Sequence, residues 1–213
     1  TLSLIAKGYG DLKPSKIERL EHGEEPVQRE HRRLDMELDL QSEMLQLAYK
    51  APPLSHPDYP ALSVLDGILT AGNSSRLERR LVDTGLATSA GAWLPAFQEE
   101  SLYEFSATMR SGKAADAAIA VIRAELADLR ENLVSVEELE RVRNQLLVML
   151  HGGLLSHSGR AGFIGFNEVA AGSWQAGKDR IEALRAVTAE DVRRVAREWL
   201  LDERSSAVVG RPK

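Results

Sequence analysis

The stretch Leu34-Asp35-Met36-Glu37-Leu38-Asp39-Leu40 alternates apolar and acidic residues without a break. This alternation predicts a half-buried β-strand, because successive side chains of a strand point to opposite faces of the sheet. A second alternating stretch runs from Leu45 to Tyr49 and ends before Pro52, which cannot donate a hydrogen bond to a sheet ladder. Only a short turn separates the two stretches, so we expect the strands to pair antiparallel.

Downstream of these strands the apolar period changes to that of a helix and then back. We predict a helix over 56–69, followed by a second helix that Ser74 or Ser75 caps and Gly85 ends. The other predicted elements are strands at 90–97 and 101–110, helices at 113–133, 139–150, 159–171, 177–184 and 189–200, and a closing strand at 206–210. This order predicts an α+β fold, a two-layer sandwich of a mainly antiparallel sheet covered on one face by helices.

The composition is that of an ordinary globular protein and excludes several function classes. A chain of 213 residues can bury one good core, or at most two small ones. Its net charge of -5 offers no clustered basic surface for nucleic acid, and no apolar run approaches the roughly 20 residues that span a bilayer. The absence of cysteine excludes disulfides and thiolate zinc sites, and is compatible with either the cytoplasm or the periplasm.

The first 33 residues differ from the rest of the chain. They are polar and are broken by glycine and proline at Gly8, Gly10, Pro14, Gly23 and Pro26. Such a composition is typical of a linker, with one short helix near Lys16–Leu20. We therefore interpret 1–33 as a linker and the tail of an upstream domain, and 34–213 as one domain.

The histidines do not form a recognisable zinc site. The inverted zinc motif, His-x-x-Glu-His, needs two histidines on one helix face with a glutamate between them to activate water. In His22-Gly23-Glu24-Glu25-Pro26 a proline replaces the second histidine, and Val27 stands where Glu30-His31 would need the first. We interpret these as solvated linker residues.

Three other histidines also have simpler interpretations. His56 lies at the entry of a predicted helix, and His151 and His157 lie near a helix end beside Gly152-Gly153. Nucleophilic catalysis has no support either, because the chain has no cysteine and no Gly-x-Ser-x-Gly elbow. No residue of this chain is a candidate catalytic residue.

One block resembles a known family. Ser74-Ser75-Arg76-Leu77, preceded by Ala71-Gly72-Asn73 and followed by Gly85-Leu86-Ala87-Thr88-Ser89, is by itself a capped helix, a glycine stop and a strand. It resembles a block in the second half of pitrilysin/insulinase-type zinc peptidases, a family that includes the mitochondrial processing peptidases and the core proteins of respiratory complex III. The resemblance extends over about 34–213 by the order and spacing of further stretches: Leu47–Pro52, Leu65–Leu69, Glu138-Leu139 and Val208–Gly210.

The resemblance implies the C-terminal, non-catalytic half of a bacterial-type zinc peptidase. In that family a zinc-bearing half carries the inverted motif, and the two halves enclose unfolded peptides in a clamshell chamber. The implied chain has no cofactor of its own and is inactive alone. Zinc is then expected in the partner half, either earlier in the same polypeptide, which we prefer, or on a separate subunit.

The resemblance also implies which side chains face the substrate. Many members have a tyrosine where this chain has Thr88, and an arginine in the preceding helix that holds the substrate backbone with it. Seven positions before Thr88 stands Leu81, with Arg79 and Arg80 just before it. Arg80 could reach the same space only if the helix register differs by one residue, so Arg80 and Thr88 are the candidate substrate-facing residues.

Two alternatives stay open. The chain could be a structural assembly subunit without activity, because both residues of the substrate-holding pair are replaced. It could also be a stand-alone module that binds unfolded peptides. The isolated half of a clamshell is further expected to self-associate, because the surface that faces the missing half would be apolar and exposed.

Overall fold

The computed structural model, which describes residues 1–13, 15, 23 and 25–213, contains one five-stranded sheet with helices on one face. The predicted order of elements and the α+β fold are confirmed. The predicted helix near Lys16–Leu20 lies outside the described residues. The strands are β1 (Arg32–Leu38), β2 (Met44–Ala51), β3 (Ala87–Trp93), β4 (Ser101–Met109) and β5 (Ser205–Pro212). The helices are α1 (Leu2–Tyr9), α2 (Tyr59–Thr70), α3 (Ala115–Glu131), α4 (Val136–Gly153), α5 (His157–Ala170), α6 (Ala176–Ala186) and α7 (Ala189–Trp199), with a π-helical turn at Glu78–Val82 and a 3₁₀ turn at Asp202–Arg204.

The strand order is β1-β5-β2-β4-β3, which corrects one prediction. β1 and β2 do not pair with each other. β5, from the end of the chain, lies between them and pairs parallel to β1 and antiparallel to β2. Residues 39–43 therefore cross the end of β5 and do not form a hairpin turn. β3 and β4, which follow each other in the chain, pair antiparallel, as expected of a mainly antiparallel sheet.

The prediction that β1 is half-buried is wrong. All seven of its residues are exposed, and Leu34 keeps 53% of its accessible surface. Its apolar residues share one face of the sheet with exposed residues of the neighbouring strands, since Leu34 lies opposite Val208 and Met36 opposite Gly210. We name this apolar surface the open face, and it consists of Leu34, Met36, Leu38, Met44 and Val208.

The core lies between the other face of the sheet and the helices. Alternate residues of β2 and β4 are buried there, and Phe105 contacts the rings of Tyr49 and Tyr103 with centroid distances of 5.9 and 4.6 Å. Helices α3 and α7 pack over these strands and against each other, and α2 packs against α7 and β3. Burial of this apolar surface is the main force that holds the two layers together.

The segments before β1 pack less. Helix α1 has no buried residue. The chain just before β1 is attached to the sheet, because the Gln28 side-chain amide donates a hydrogen bond of 2.7 Å to the Ser205 carbonyl oxygen. None of the helices in the described residues is both long enough and apolar enough to cross a membrane.

Candidate functional site

After Ser74-Ser75 the chain forms a π-helical turn at Glu78–Val82. The N-cap residue of this turn is Leu77, and no serine side chain caps it, in contrast to the prediction. The Asp83 N–H donates to the Glu78 carbonyl and the Leu86 N–H to the Leu81 carbonyl, each at 3.0 Å. Both bonds span five residues, one more than in an α-helix. The turn therefore contains an extra residue relative to a regular helix.

The extra residue bears on the orientation of Arg80. Leu81 is fully buried, while the Arg80 side chain reaches the surface and is 68% exposed. Its Nε lies 3.1 Å from Oε1 of Glu125 on α3. Arg80 could take the place of Leu81 only if the helix register differed by one residue, and a π-helical turn contains one extra residue.

Arg76, from the Ser-Ser-Arg-Leu stretch, is the centre of an ion-pair network. Its side chain is only 14% exposed and contacts three carboxylates. Nε and Nη2 donate to the two carboxylate oxygens of Glu138 at 3.1 and 2.8 Å. The other terminal nitrogen, Nη1, lies 2.7 Å from the carboxylate of Asp128 and 3.4 Å from that of Glu125. This network connects the π-helical turn to α3 and α4.

The network explains why the capping-box sequence Ser135-Val136-Glu137-Glu138, which predicts the start of a helix, forms only half of its bonds. The Ser135 hydroxyl accepts a hydrogen bond from the Glu138 N–H at 3.2 Å, as predicted for the start of α4. The Glu138 carboxylate is bound to Arg76 instead of closing the capping box. Burial alone lowers the pKa of Arg76, but its bonds to Glu138 and Asp128 outweigh burial and raise that pKa above its ordinary value. The guanidinium is therefore permanently charged.

A groove of about 870 Å³ lies over this network, between the π-helical turn and the first turns of α4. Arg79, Arg80 and Arg141 line it together with the carboxylates that bind Arg76. Arg79 and Arg80 are exposed, so the groove presents guanidinium groups beside the carboxylates that Arg76 contacts.

Thr88 lies outside this groove, at an irregularity of β3. Ala87 pairs with Met109 and Ser89 with the next residue, Thr108, so Thr88 is the extra residue of a β-bulge. Its side chain is exposed, and Oγ1 donates to the Thr108 carbonyl oxygen at 3.2 Å. No hydrogen bond joins Arg80 to Thr88. The structure therefore gives each of these two residues its own partner.

Strand β3 is the edge of the sheet on the side of Thr88. β4 pairs with one edge of β3, and in the part of the chain that the structure describes no strand pairs with the other. The strand, Ala87–Trp93, contains no charged residue and no proline. At its far end the rings of Trp93 and Phe97 meet edge to face at 5.9 Å, and both side chains are about half exposed.

The histidines that the structure describes are not surrounded by a set of metal ligands. His56 accepts a hydrogen bond from the Asp58 N–H at 3.1 Å at the entry of α2, as predicted. His151 and His157 contact Arg185 and Arg160 near the ends of their helices. Over 25–213 and the other described residues, no three His, Asp or Glu side chains are placed to hold a metal ion. These residues therefore do not fit a zinc site; His22 and Glu24 lie outside the described residues.

His31 differs from its interpretation as a solvated residue. It is half-buried, and its Nδ1 lies 2.8 Å from Oγ of Ser205, a residue that is fully buried. The Arg123 guanidinium lies 3.1 Å from the same nitrogen. His31 thus attaches the start of β1 to β5 and α3.

Sequence reasoning also missed a half-buried carboxyl group. Asp66 lies on α2, where the Tyr103 hydroxyl donates to its Oδ1 at 2.9 Å. Burial raises the pKa of Asp66 to about 6, although the hydrogen bonds from Tyr103 and Thr70 act in the opposite direction. Glu125, Asp128 and Glu138 were not predicted as site residues either. In sequence each is an ordinary polar residue of an amphipathic helix, and only the fold places Arg76 among them.

Comparison with known proteins identifies the family. Residues 1–146 match the family described as the peptidase M16 inactive domain. The zinc protease PqqE of Helicobacter pylori is 29% identical over 171 residues, which are 80% of this chain and 38% of that protein. An uncharacterized zinc protease of Streptomyces coelicolor is 30% identical over 151 residues, 70% of this chain and 33% of its own length.

A solved structure agrees with these relatives. The crystal structure of a protease from Helicobacter pylori superimposes with a TM-score of 0.91 at 27% identity, over 99% of this chain and 52% of that one. The chain thus spans between a third and about half of the length of these proteins. The family match covers well over half of the chain, and the predicted resemblance is confirmed: this chain belongs to the peptidase M16 family and is its inactive domain.

Proposed function

We propose that the chain forms the second, non-catalytic wall of a peptidase chamber and holds unfolded peptide near a zinc site in another half. The observation that carries this proposal is the free edge of β3. An unpaired strand edge offers a row of N–H and C=O groups that an extended peptide can pair with. Such pairing uses only the backbone, so it accepts unfolded chains of many sequences and rejects folded proteins.

The surroundings of this edge support a peptide ligand. Natural sheets protect their edges with charged residues or proline, and β3 contains neither. The bulge at Thr88 leaves an exposed side chain at one end of β3, and the exposed rings of Trp93 and Phe97 offer an apolar contact at the other. In this proposal Thr88 and Arg80 are the substrate-facing residues, Arg80 through the guanidinium nitrogens that Glu125 does not occupy.

Zinc enters this proposal only through the other half. The zinc proteases of Helicobacter pylori and Streptomyces coelicolor extend well beyond the region that matches this chain. The described residues form no metal site, so the water-activating chemistry would be supplied by a zinc-bearing half, on the same polypeptide or on a partner subunit. Residues 1–33 would then connect the two halves, with 34–213 as the non-catalytic domain.

One observation favours the alternative of an inactive assembly subunit. The Thr88 hydroxyl already donates to the Thr108 carbonyl, and threonine is too short to reach as far as the tyrosine found in many relatives. A protein that had lost peptide handling would tolerate this change. The same wall would then serve only to assemble with its partner.

The experiment that separates the two functions is cleavage of a quenched-fluorescent unstructured peptide. The chain is measured alone, with a zinc-bearing half, and with that half plus chelator. Cleavage that needs both halves and is lost to chelator supports the peptidase wall, and a Trp93→Lys variant should then cleave more slowly. A mixture that associates and holds zinc without cleaving would support the assembly subunit.

A further inference from the structure

We infer that Glu125 is a positioning residue that holds the Arg80 guanidinium in place for substrate. This inference rests on the proposed function, because Arg80 is a substrate-facing residue only there. Glu125 is 8% exposed and lies near the middle of α3, while Arg80 is mostly exposed on the π-helical turn. An exposed arginine normally samples many rotamers, and a fixed partner removes that freedom before the ligand binds.

The geometry of the contact leaves Arg80 available. Oε1 of Glu125 lies 3.1 Å from Nε of Arg80, the nitrogen nearest to the stem of the side chain. The ion pair therefore lies on the Nε side of the guanidinium, and Arg80 lines the groove. A guanidinium held in this way can donate two parallel hydrogen bonds to neighbouring oxygens of a ligand.

Glu125 can act as an anchor because Arg76 holds its other oxygen. Oε2 of Glu125 lies 3.4 Å from Nη1 of Arg76. The Arg76 guanidinium also contacts Asp128 and Glu138. A carboxylate that is buried and bound on one side cannot follow the motions of an exposed side chain. The network around Arg76 therefore fixes Glu125, and Glu125 in turn fixes Arg80.

The test begins with a measurement that needs no ligand. NMR relaxation reports how restricted the motion of the Arg80 side chain is in the wild-type chain and in Glu125→Leu, which has no side-chain oxygen. We expect restricted motion in the wild type and fast motion in the variant, with Glu125→Gln in between because it keeps one oxygen but not the charge. Asp128→Asn removes a carboxylate that binds Arg76 and leaves Glu125 in place, so the motion of Arg80 should stay restricted.

The second measurement is a double-mutant cycle on peptide binding, read from the polarisation of a fluorescein-labelled unstructured peptide. We expect Glu125→Leu to weaken binding by about three- to fivefold, and to have no effect when Arg80→Gln is already present. The control is Asp116→Asn, which removes a carboxylate from the same helix; Asp116 pairs with Arg33 and Arg211 outside the groove, and binding should not change.

Two results would overturn the inference itself: motion of the Arg80 side chain that Glu125→Leu leaves unchanged, or a binding loss that persists in the Arg80→Gln background. A different result would overturn the proposed function. If Glu125 restricts the motion of Arg80 but the wild-type chain binds no peptide, the ion pair exists without a substrate role.

Discussion

Replacement of Asp66 by asparagine should change how the stability of the protein depends on pH. Asp66 is half-buried on α2, and the pKa of its carboxyl group is raised to about 6 because burial penalises the charged form. In an unfolded chain the pKa of an aspartate is about 3.9. The folded protein therefore binds this proton more tightly than the unfolded chain does.

The sign and size of the effect follow from that difference. A raised pKa contributes stability that is fully present below about pH 4 and is lost as the pH rises through about 6. A shift of roughly two units at about 1.4 kcal/mol per unit corresponds to a loss of roughly 3 kcal/mol over the whole range. Asparagine cannot ionise, and its side-chain oxygen can still accept the hydrogen bond from Tyr103.

The measurement is urea unfolding of the wild type and Asp66→Asn between about pH 4 and pH 7.5. The free energy of unfolding of the variant, minus that of the wild type, should rise by about 2 kcal/mol over this interval. Taking the difference cancels the opposite slope of carboxyl groups such as Asp58 and Asp191, whose pKa values are lowered. Asp83→Asn, at an exposed position, is the control, and a flat difference for Asp66→Asn would refute the reasoning.

Two further predictions concern the ion-pair network and the open face. Arg76→Met should reduce the free energy of unfolding by about 3 kcal/mol, because it leaves the buried carboxylates of Glu125 and Glu138 without their shared cation. Urea unfolding checks this against Arg33→Met, whose ion pairs are more exposed; an equal loss in both variants would contradict the network's role. The isolated chain should also self-associate through its open face, so sedimentation velocity should show concentration-dependent oligomers that Leu34→Lys reduces, whereas a monomer at every concentration would contradict this.

Local chemistry was enough to predict most helices. Helix α7 begins at Thr188, whose side chain forms a complete capping box with Asp191, and α4 ends at the predicted Gly152-Gly153 pair. Caps and helix periods involve residues three or four apart, so the sequence displays them directly. The π-helical turn at Glu78–Val82 was not predictable, because its extra residue leaves no mark in the apolar pattern.

The site was predictable only in part. Arg80 and Thr88 came from the resemblance to a family, and their roles stay predictions. Glu138 could not be assigned from sequence, since a glutamate near a helix start is equally suited to capping or to pairing with an arginine. Glu125, near the middle of α3, has the pattern of an ordinary polar residue of an amphipathic helix. Arg76 decides between these uses, and it lies more than forty residues away from both.

The sequence by itself determined which segments become strands and helices, that the fold is α+β, and that no thiolate zinc site can form. The tertiary structure alone decided that β5 separates β1 from β2, that the apolar side of β1 stays exposed, and that Arg80 is bound to Glu125. The physical reason is that an apolar period reports which side of a segment avoids water. It does not report which distant segment will cover that side, because that choice depends on packing and pairing across the whole chain.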